Sequence, residues 1–241
     1  MLQSLNPQQL RADPEKGDSL SLGEAVYAKI KAAIIHGDLL PGSQITEQQI
    51  AAELEVSRTP VHQAIVRLEH EGWLRLQSKR GVIISPVTSE EMRNIYEVLM
   101  GLEAVAVERL ASRPAAKNDP IDIEIRAAAA AAEDALNAGD LTGWAAGDDR
   151  FHSLLVEQSG NPYLASLARM VMEKAHRARL LTLHLRPPPI SSNRDHHEIL
   201  EALTARDPAA TKAALEAHRR RGMETILPIL DTLASRRRFM R

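Results

Sequence analysis

Cysteine is absent from the 241-residue chain, which excludes disulfide bonds and every metal site built on thiolates. Any bound metal ion must therefore be held by histidine, aspartate or glutamate. Aromatic residues make up only 3% of the chain, whereas alanine and leucine are abundant, and this composition favours packed helices over sheets. Long apolar runs are missing too: none approaches the ~18 residues of a membrane span, and no signal-peptide core is present. We therefore expect a cytoplasmic protein without a membrane partner.

The length and composition that are present allow one large domain or two of ordinary size. A hydrophobic content of 44% is sufficient for two cores of ordinary size, and a formal net charge of −2 neither favours nor excludes nucleic acid as a partner. Residues 1–20 are polar and aperiodic, so we interpret them as a flexible tail. We predict a first domain over 21–87, a second over 88–235 and a basic tail over 236–241.

The pattern of residues 21–87 is typical of a winged helix-turn-helix. One amphipathic helix runs to Gly37, and the capping box formed by Thr46 and Gln49 opens a second helix. A third helix has Pro60 in its first turn, and WLRLQ and VIISPV around SKRG predict a two-stranded hairpin. The alternative is a small helical domain with an incidental hairpin, but the order and lengths of the elements favour a DNA-binding domain whose third helix enters the major groove.

Base and phosphate contacts are expected from the start of the third helix and from the hairpin tip. Arginine can bind guanine bidentately and glutamine can bind adenine, so both side-chain types suit this position. The candidates on the helix are Ser57, Arg58, Thr59, His62, Gln63 and Arg67. At the tip they are Lys79 and Arg80. Positive and negative side chains balance within 21–88, so affinity must come from local placement and from two subunits acting together.

The stretch from GDLLPGSQITEQQ to SKRGVIISPV resembles the GntR family of bacterial transcription regulators. Arg58, Thr59 and the wing glycine, Gly81, match that family's pattern. Gln48 and His62 depart from it, because members commonly carry arginine at both positions. The resemblance implies operator DNA as the partner and adds Gln48 and Gly81 to the candidate interface. Because of the two departures, the operator sequence typical of the family is not carried over to this chain.

From Thr88 onward the sequence is almost entirely helical. Proline and glycine punctuation predicts six helices with short connections, which makes the fold class mainly α: an N-terminal winged helix-turn-helix followed by an all-helical bundle. The predicted ranges are 89–112, 118–138, 141–158, 161–185, 191–206 and 208–232.

Three of these helices interrupt an apolar stripe with a metal-ligating residue. In GDDRFHSLL, residues 147–155, Asp148 and His152 share a helix face with Phe151. His196 and His218 lie on the apolar faces of two later helices. Burial of an isolated carboxylate costs several kcal/mol, whereas a divalent cation among these four residues would compensate it. Three nitrogens and one oxygen suit zinc or nickel and leave positions open. Asp149, Asp195 and His197 remain alternative ligands.

This part of the chain resembles the FCD domain, the helical effector domain of the FadR subfamily of GntR regulators, and six helices indicate its VanR-like branch. Many members hold a metal with an Asp-x-x-x-His pair and two later histidines, positions that map onto Asp148, His152, His196 and His218. Members often carry an arginine in YEVR where this chain has Leu99. The resemblance implies a small organic acid bound beside the metal. The candidates to neutralise it are Arg150, Arg177, Arg179 and Arg194.

The function expected from these patterns is that of a homodimeric transcriptional regulator, a repressor rather than an activator, whose ligand changes the placement of two winged helices on DNA. A second hypothesis makes the metal itself the signal. A third is a metallohydrolase in which the ion activates water, but the sequence offers no motif that positions a general base.

Overall fold

The computed structural model describes residues 21–77, 81–114, 116 and 119–239, which form two compact units that divide between Val87 and Thr88. The first unit contains α1 (Leu22–His36), β1 (Gln44–Ile45), α2 (Glu47–Glu53), α3 (Arg58–His70), β2 (Leu74–Gln77) and β3 (Gly81–Ile84). The second contains α4 (Ser89–Ala111), α5 (Pro120–Asn137), α6 (Leu141–Glu157), α7 (Pro162–Thr182), a 3₁₀ turn (Leu183–Leu185), α8 (Ile190–Thr204) and α9 (Pro208–Phe239).

The first unit is a winged helix-turn-helix, as predicted. The Thr46 hydroxyl accepts from the backbone N–H of Gln49, whose side chain accepts from the backbone of Thr46, so the predicted capping box opens α2. The wing has one strand more than expected, because β1 pairs with β3 in a sheet of order β1-β3-β2, with both pairings antiparallel. The core lies between α1, α3 and this sheet, and includes Val26, Ile30, Ile34, Ile65, Leu68, Trp73, Val82 and Ile84.

The second unit is a six-helix bundle, which confirms the predicted fold class. Four of its described helices, α4 to α7, begin at side-chain caps that the sequence contains, such as Asp140 before α6 and Asn161 before α7. α4 packs against α7 and α9, α5 packs against α6, and α8 packs against α9. These contacts enclose a core that includes Val107, Ile125, Phe151, Leu155, Ile199 and Leu215.

The C-terminal helix is longer than the predicted range of 208–232. α9 continues to Phe239 with Pro228 inside it, so residues 236–239 are helical and do not form a separate basic tail. The residues after 232 are mostly Ala, Leu and Arg, which all propagate a helix well. The predicted tail over 1–20 lies outside the described residues. Among the helices that the structure describes, none is long and apolar enough to cross a membrane.

Gly81 closes the wing against β1. Its φ is +84°, and a Cβ there would lie 2.6 Å from the carbonyl oxygen of Ile45. We expect Gly81→Ala to lower the free energy of unfolding of the first unit by about 1–3 kcal/mol, because both the left-handed backbone and the contact oppose a side chain. Urea unfolding followed by Trp73 fluorescence in a Trp144→Phe background measures it, since the chain has two tryptophans.

Gly37 is the matched control for that measurement. It caps α1 with a φ of +86°, but nothing lies within 4 Å of its added Cβ. Gly37→Ala therefore carries only the backbone cost of about 1 kcal/mol. Equal losses in the two variants would show that the contact with Ile45 has no effect.

Candidate metal centre, adjoining cavity and DNA-binding surface

The candidate centre starts from a close approach of two helices. A Cβ at Gly147 of α6 would lie within 2.8 Å of the backbone of Ala132 on α5, so only glycine permits this separation. The next residue, Asp148, and His152 one turn later then face the interior beside Phe151, and all three are at most 1% exposed. The glycine of GDDRFHSLL thus brings an acid and an imidazole into the core.

The structure brings together the four predicted ligands. Asp148 and His152 of α6, His196 of α8 and His218 of α9 each offer a nitrogen or oxygen atom, and these atoms lie within 4.8 Å of one another. All four residues are buried. The His152 and His218 Nε2 atoms are 3.0 Å apart, and His196 Nε2 lies 3.4 Å from Asp148 Oδ1.

Carboxylates behind two of the imidazoles determine which nitrogens face the centre. His152 Nδ1 lies 3.3 Å from Glu103 Oε1 on α4, and His218 Nδ1 donates to Asp195 Oδ2 at 3.2 Å. A carboxylate favours a proton on the nitrogen that faces it, so both Nε2 atoms turn lone pairs inward. Two lone pairs 3.0 Å apart repel each other unless a cation or a proton lies between them.

The outer carboxylates are in turn neutralised by arginines of α9. Arg219 donates to both oxygens of Glu103 at 2.5 and 2.6 Å, and the two residues are at most 3% exposed. Burial alone would raise the pKa of Glu103, but Arg219 and His152 lower it to about 2. Arg221 forms the corresponding pair with Asp195, at 2.6 Å from Oδ1. Charge therefore alternates outward from the centre.

The protonation states suit a cation. Burial and the nearby Arg219 hold the pKa of His152 well below its usual range, and burial lowers the pKa of His218 to about 4 against the opposing effect of Asp195. Burial would raise the pKa of Asp148, but Arg179 and the imidazoles hold it well below its usual range. The rings of His152 and His218 are thus neutral and the carboxylate of Asp148 is charged near pH 7, as metal ligands must be.

The ring of His196 independently favours a metal ligand role. It is 1% exposed, and neither of its ring nitrogens has a hydrogen-bond partner among the described residues. Its ring stacks on Phe151 with the centroids 4.2 Å apart, so the side chain is held in place without its polar atoms being satisfied. Buried polar atoms of this kind are costly, and a metal ion bound to the imidazole would remove that cost.

The alternative ligands have other partners. Asp149 Oδ1 lies 3.3 Å from His176 Nδ1, away from the cluster, and the exposed His197 pairs with Glu133. Asp195 touches the centre only through His218. Of the two aspartates in GDDRFHSLL, Asp148 is the one that lies in the cluster.

A cavity of about 220 Å³ opens beside the centre. Asp148 and His218 form part of its wall, Tyr96, Trp144 and Ile226 supply apolar surface, and four arginines line it. The arginines are Arg179, Arg186, Arg219 and Arg221. Three of them face carboxylates: Arg179 lies 2.9 Å from Asp148, and the other two pair with Glu103 and Asp195.

The predicted effector arginines divide between this cavity and other places. Arg179 lies in its wall, whereas Arg150 is exposed on α6 and pairs with Glu124 and Glu157. Arg177 is buried outside the lining, and Arg194 lines a separate cavity near His197. Of the four predicted effector arginines, Arg150, Arg177 and Arg194 therefore do not line this cavity.

Sequence patterns did not indicate Arg186, Arg219 or Arg221. Arg219 directly follows His218 and Arg221 lies two residues further on, and the need for a counter-charge to buried acids is the signal that points to them. Arg186 carries a different signal: it precedes three prolines, and proline disfavours helix at the residue before it. The structure accordingly has Arg186 extended, with φ −129° and ψ 160°.

Most of the predicted DNA-contacting residues that the structure describes have exposed side chains on the first unit. Ser57 precedes α3, and Arg58, Thr59, His62 and Gln63 are exposed on its first two turns. Gln48 is exposed on α2. A groove lined by Gln48, Arg58 and Gly81 runs between α2, α3 and the wing. Lys79 and Arg80 lie outside the described residues.

Two of these side chains also have partners within the unit. Arg67 donates to Glu71 at 3.2 Å, and its guanidinium carbon lies 3.7 Å from the centroid of the Tyr27 ring, which ties it to α1. His62 Nδ1 lies 3.0 Å from Glu47 Oε1 on α2. Arg67 therefore has a structural contact that the sequence did not indicate.

Comparison with known proteins identifies both units. The pattern described as bacterial regulatory proteins, gntR family, matches residues 22–84, and the FCD domain matches residues 94–221. An HTH-type transcriptional regulator from the TAR-I ttuE-ttuC′ intergenic region of Agrobacterium vitis is 41% identical over 143 residues, 58% of this chain and 84% of the relative. The HTH-type transcriptional regulator YdhC of Bacillus subtilis is 27% identical over 85% of this chain and 91% of its own length.

A solved structure supports the same assignment. A transcriptional regulator GntR from Rhodococcus sp. RHA1 superposes with a TM-score of 0.74 at 26% identity, covering 87% of this chain and 99% of the other.

The buried pair of Glu103 and Arg219 yields a stability prediction. Arg219→Met leaves a buried carboxylate without its counter-charge, so we expect the free energy of unfolding to fall by about 3–5 kcal/mol. Arg221→Met is the control, because that side chain is 46% exposed and its pair contributes about 1 kcal/mol or less. Denaturant unfolding followed by circular dichroism compares them. Similar losses would contradict a special role for the Glu103 pair.

Proposed function

The chain belongs to the GntR family of bacterial regulatory proteins and carries an FCD domain, and on that premise we propose that it is a metal-dependent, ligand-responsive repressor. The metal would be zinc or nickel, and the ligand a small organic acid. The protein would act as a homodimer on operator DNA in the cytoplasm. The observation that carries the proposal is a buried cluster of one aspartate and three histidines beside an arginine-lined cavity.

The donor set fits a first-row divalent ion. The three imidazoles and Asp148 match the nitrogen-rich coordination that zinc and nickel accept. Facing lone pairs on His152 and His218 and an unsatisfied ring on His196 both favour a cation at this place. When bound, the ion supplies a Lewis-acidic anchor with positions open to a carboxylate. Glu103 and Asp195 hold the imidazoles in the tautomer that binds it.

The cavity fits a small acid as the ligand. Its wall includes Asp148 and His218 of the cluster, so a ligand in the cavity reaches the metal position from there. The surrounding guanidinium groups favour an anion over a neutral or cationic molecule. A ligand that binds better when the protein is off the operator would release the DNA.

Exposed apolar side chains support the homodimer. Val98 and Val105 are seven residues apart on α4 and therefore share a face, and both are about half exposed. Tyr163, Leu167 and Met170 form a similar exposed stripe on the neighbouring α7. Apolar surface of this kind marks a contact with another molecule, and a two-fold pair of subunits matches paired operator half-sites.

The DNA-binding part of the proposal is tested with a library of genomic fragments. Zinc-loaded full-length protein should enrich a few fragments that carry paired half-sites, and an added acid effector should lower their retention. Arg58→Ala should weaken binding to an enriched fragment about 10- to 100-fold, because one bidentate arginine–guanine contact accounts for about 1–3 kcal/mol. Fluorescence anisotropy measures the affinity.

Arg93→Ala is the control, since it removes the same charge from an exposed position on α4. Retention of all fragments alike, or equal losses in the two variants, would contradict sequence-selective binding through α3. Retention that follows the metal ion and ignores every acid would instead support the ion as the signal.

The metal centre is tested by two adjacent histidines of α8. His196→Ala should abolish stoichiometric zinc binding, whereas His197→Ala should retain it, because His197 is exposed and pairs with Glu133. Elemental analysis after gel filtration gives the stoichiometry. At a hundredfold excess of free metal over its Kd, binding adds about 2.7 kcal/mol to stability, so the melting temperature of the parent should fall on chelation. Zinc retained by His196→Ala, or lost from His197→Ala, would show that the ligands are misassigned.

A further inference from the structure

We propose that the effector carries a second anionic group and that Arg186 binds it, so that the site selects small dicarboxylates over monocarboxylates. The inference rests on the proposed function, in which one carboxylate of the ligand lies at the metal position. The second anionic group lies at the opposite end of the ligand, and Arg186 is the residue that binds it.

Arg186 differs from the other arginines of the cavity. Arg179, Arg219 and Arg221 each lie within 3 Å of a carboxylate oxygen. The Nε and Nη2 atoms of Arg186 are buried and have no hydrogen-bond partner among the described residues. A guanidinium group without a counter-charge is costly in such a place. A carboxylate presents two oxygens that match this fork.

The position of Arg186 is fixed in advance of binding. Pro187 disfavours helical backbone at Arg186. Arg186 therefore follows the 3₁₀ turn in an extended conformation, and its side chain forms part of the cavity wall. The guanidinium carbon lies 5.2 Å from the centroid of the Trp144 ring, and the indole N–H of Trp144 donates to Asn193 at 2.9 Å. A guanidinium held over a fixed aromatic ring loses little conformational freedom when it binds an anion.

The size of the cavity limits the ligand. At about 30 Å³ for each water molecule, a volume of 220 Å³ holds about seven waters, which is below the range of sites for drug-sized ligands. A linear diacid of about four to six carbons fits this space. Its methylene groups would lie against Tyr96 and Ile226, which are both buried and line the cavity.

Arg179 is less suited to hold the second group, although it faces the same cavity. It lies 2.9 Å from Asp148 and so compensates a carboxylate that the protein itself supplies. Leu99, which replaces the arginine expected on α4 from the family pattern, is fully buried and offers no charge. Among the described arginines of the cavity wall, Arg186 is thus the one with two buried guanidinium nitrogens that lack a hydrogen-bond partner.

The test is calorimetric titration of the zinc-loaded full-length protein with matched acids. Succinate, glutarate and adipate are compared with butyrate, valerate and caproate, and 3-phosphonopropionate tests whether a phosphonate replaces the second carboxylate. We expect at least one diacid to bind about 10- to 100-fold more tightly than the monoacid of equal length, as one charge-assisted pair warrants. Tightest binding by the phosphonate would assign the Arg186 end to phosphate-type groups and overturn the preference for dicarboxylates.

Arg186→Gln should bring the diacids to the affinity of the monoacids and leave the monoacids unchanged. Arg186→Lys keeps the charge without the fork and should retain only part of the preference. Arg169→Gln is the control, because Arg169 is exposed on α7 and pairs with Glu157. Zinc stoichiometry and the far-ultraviolet circular dichroism spectrum confirm that each variant is folded.

The outcomes separate this inference from the proposed function. If monoacids bind in a zinc-dependent manner and diacids gain nothing, the inference is wrong and the proposed function stands. If Arg186→Gln retains the preference, Arg186 is not the residue that reads the second group. If no acid binds with or without zinc, both the inference and the proposed class of effector are wrong.

Discussion

The second unit is organised around a buried cluster whose polar atoms do not all find hydrogen-bond partners among the described residues. Three imidazoles and one carboxylate meet in an apolar interior, and two of the ring nitrogens face each other at 3.0 Å. An apolar core would avoid such an arrangement, because each unsatisfied polar atom there costs about 1–3 kcal/mol. The surrounding residues compensate in layers: Glu103 and Asp195 lie behind the imidazoles, and Arg219 and Arg221 lie behind those acids.

This layering links four helices through one point. The inner ligands come from α6, α8 and α9, and the outer acids come from α4 and α8. α9 contributes His218 to the inner layer and Arg219 and Arg221 to the outer one, so a single turn of this helix contacts both layers. Occupation of the centre by a metal ion would therefore hold α9 against α4, α6 and α8. Removal of Arg219 would leave the buried Glu103 without its partner, and a loss of that kind exceeds what the intact pair contributes.

Sequence patterns predicted the fold and the four residues that the structure brings together, but not the acids and arginines around them. Helix periodicity placed Asp148, not Asp149, on the apolar face. Which residues share a helix face depends only on their spacing in the sequence, so this could be predicted without the structure. Glu103 was missed although it shares an apolar face of α4 with Leu99 and Val107, because the sequence does not show that its counter-charge, Arg219, comes from a helix over 100 residues later. The place of Arg186 in the cavity depends on the extended backbone that follows the 3₁₀ turn. Arg150 was a candidate only because it lies within the GDDRFHSLL motif. The predicted end of α9 at residue 232 was too early, because the sequence from 233 to 239 contains no glycine or proline that would indicate where the helix ends.

The balanced charge of the first unit limits how tightly the proposed regulator would bind DNA. Its positive and negative side chains balance, and Arg67 and His62 are already engaged with Glu71 and Glu47. In the proposed function, affinity would then depend on a few contacts around Arg58 and on two copies binding together, since little nonspecific attraction to phosphate remains. Coupling energies between ligand sites are typically about 1–3 kcal/mol, too small to release a regulator held by a large excess of positive charge. A regulator held by few contacts is released by a ligand of that strength, so we infer that the near-neutral charge of the first unit and the proposed acid site in the arginine-lined cavity of the second serve the same response.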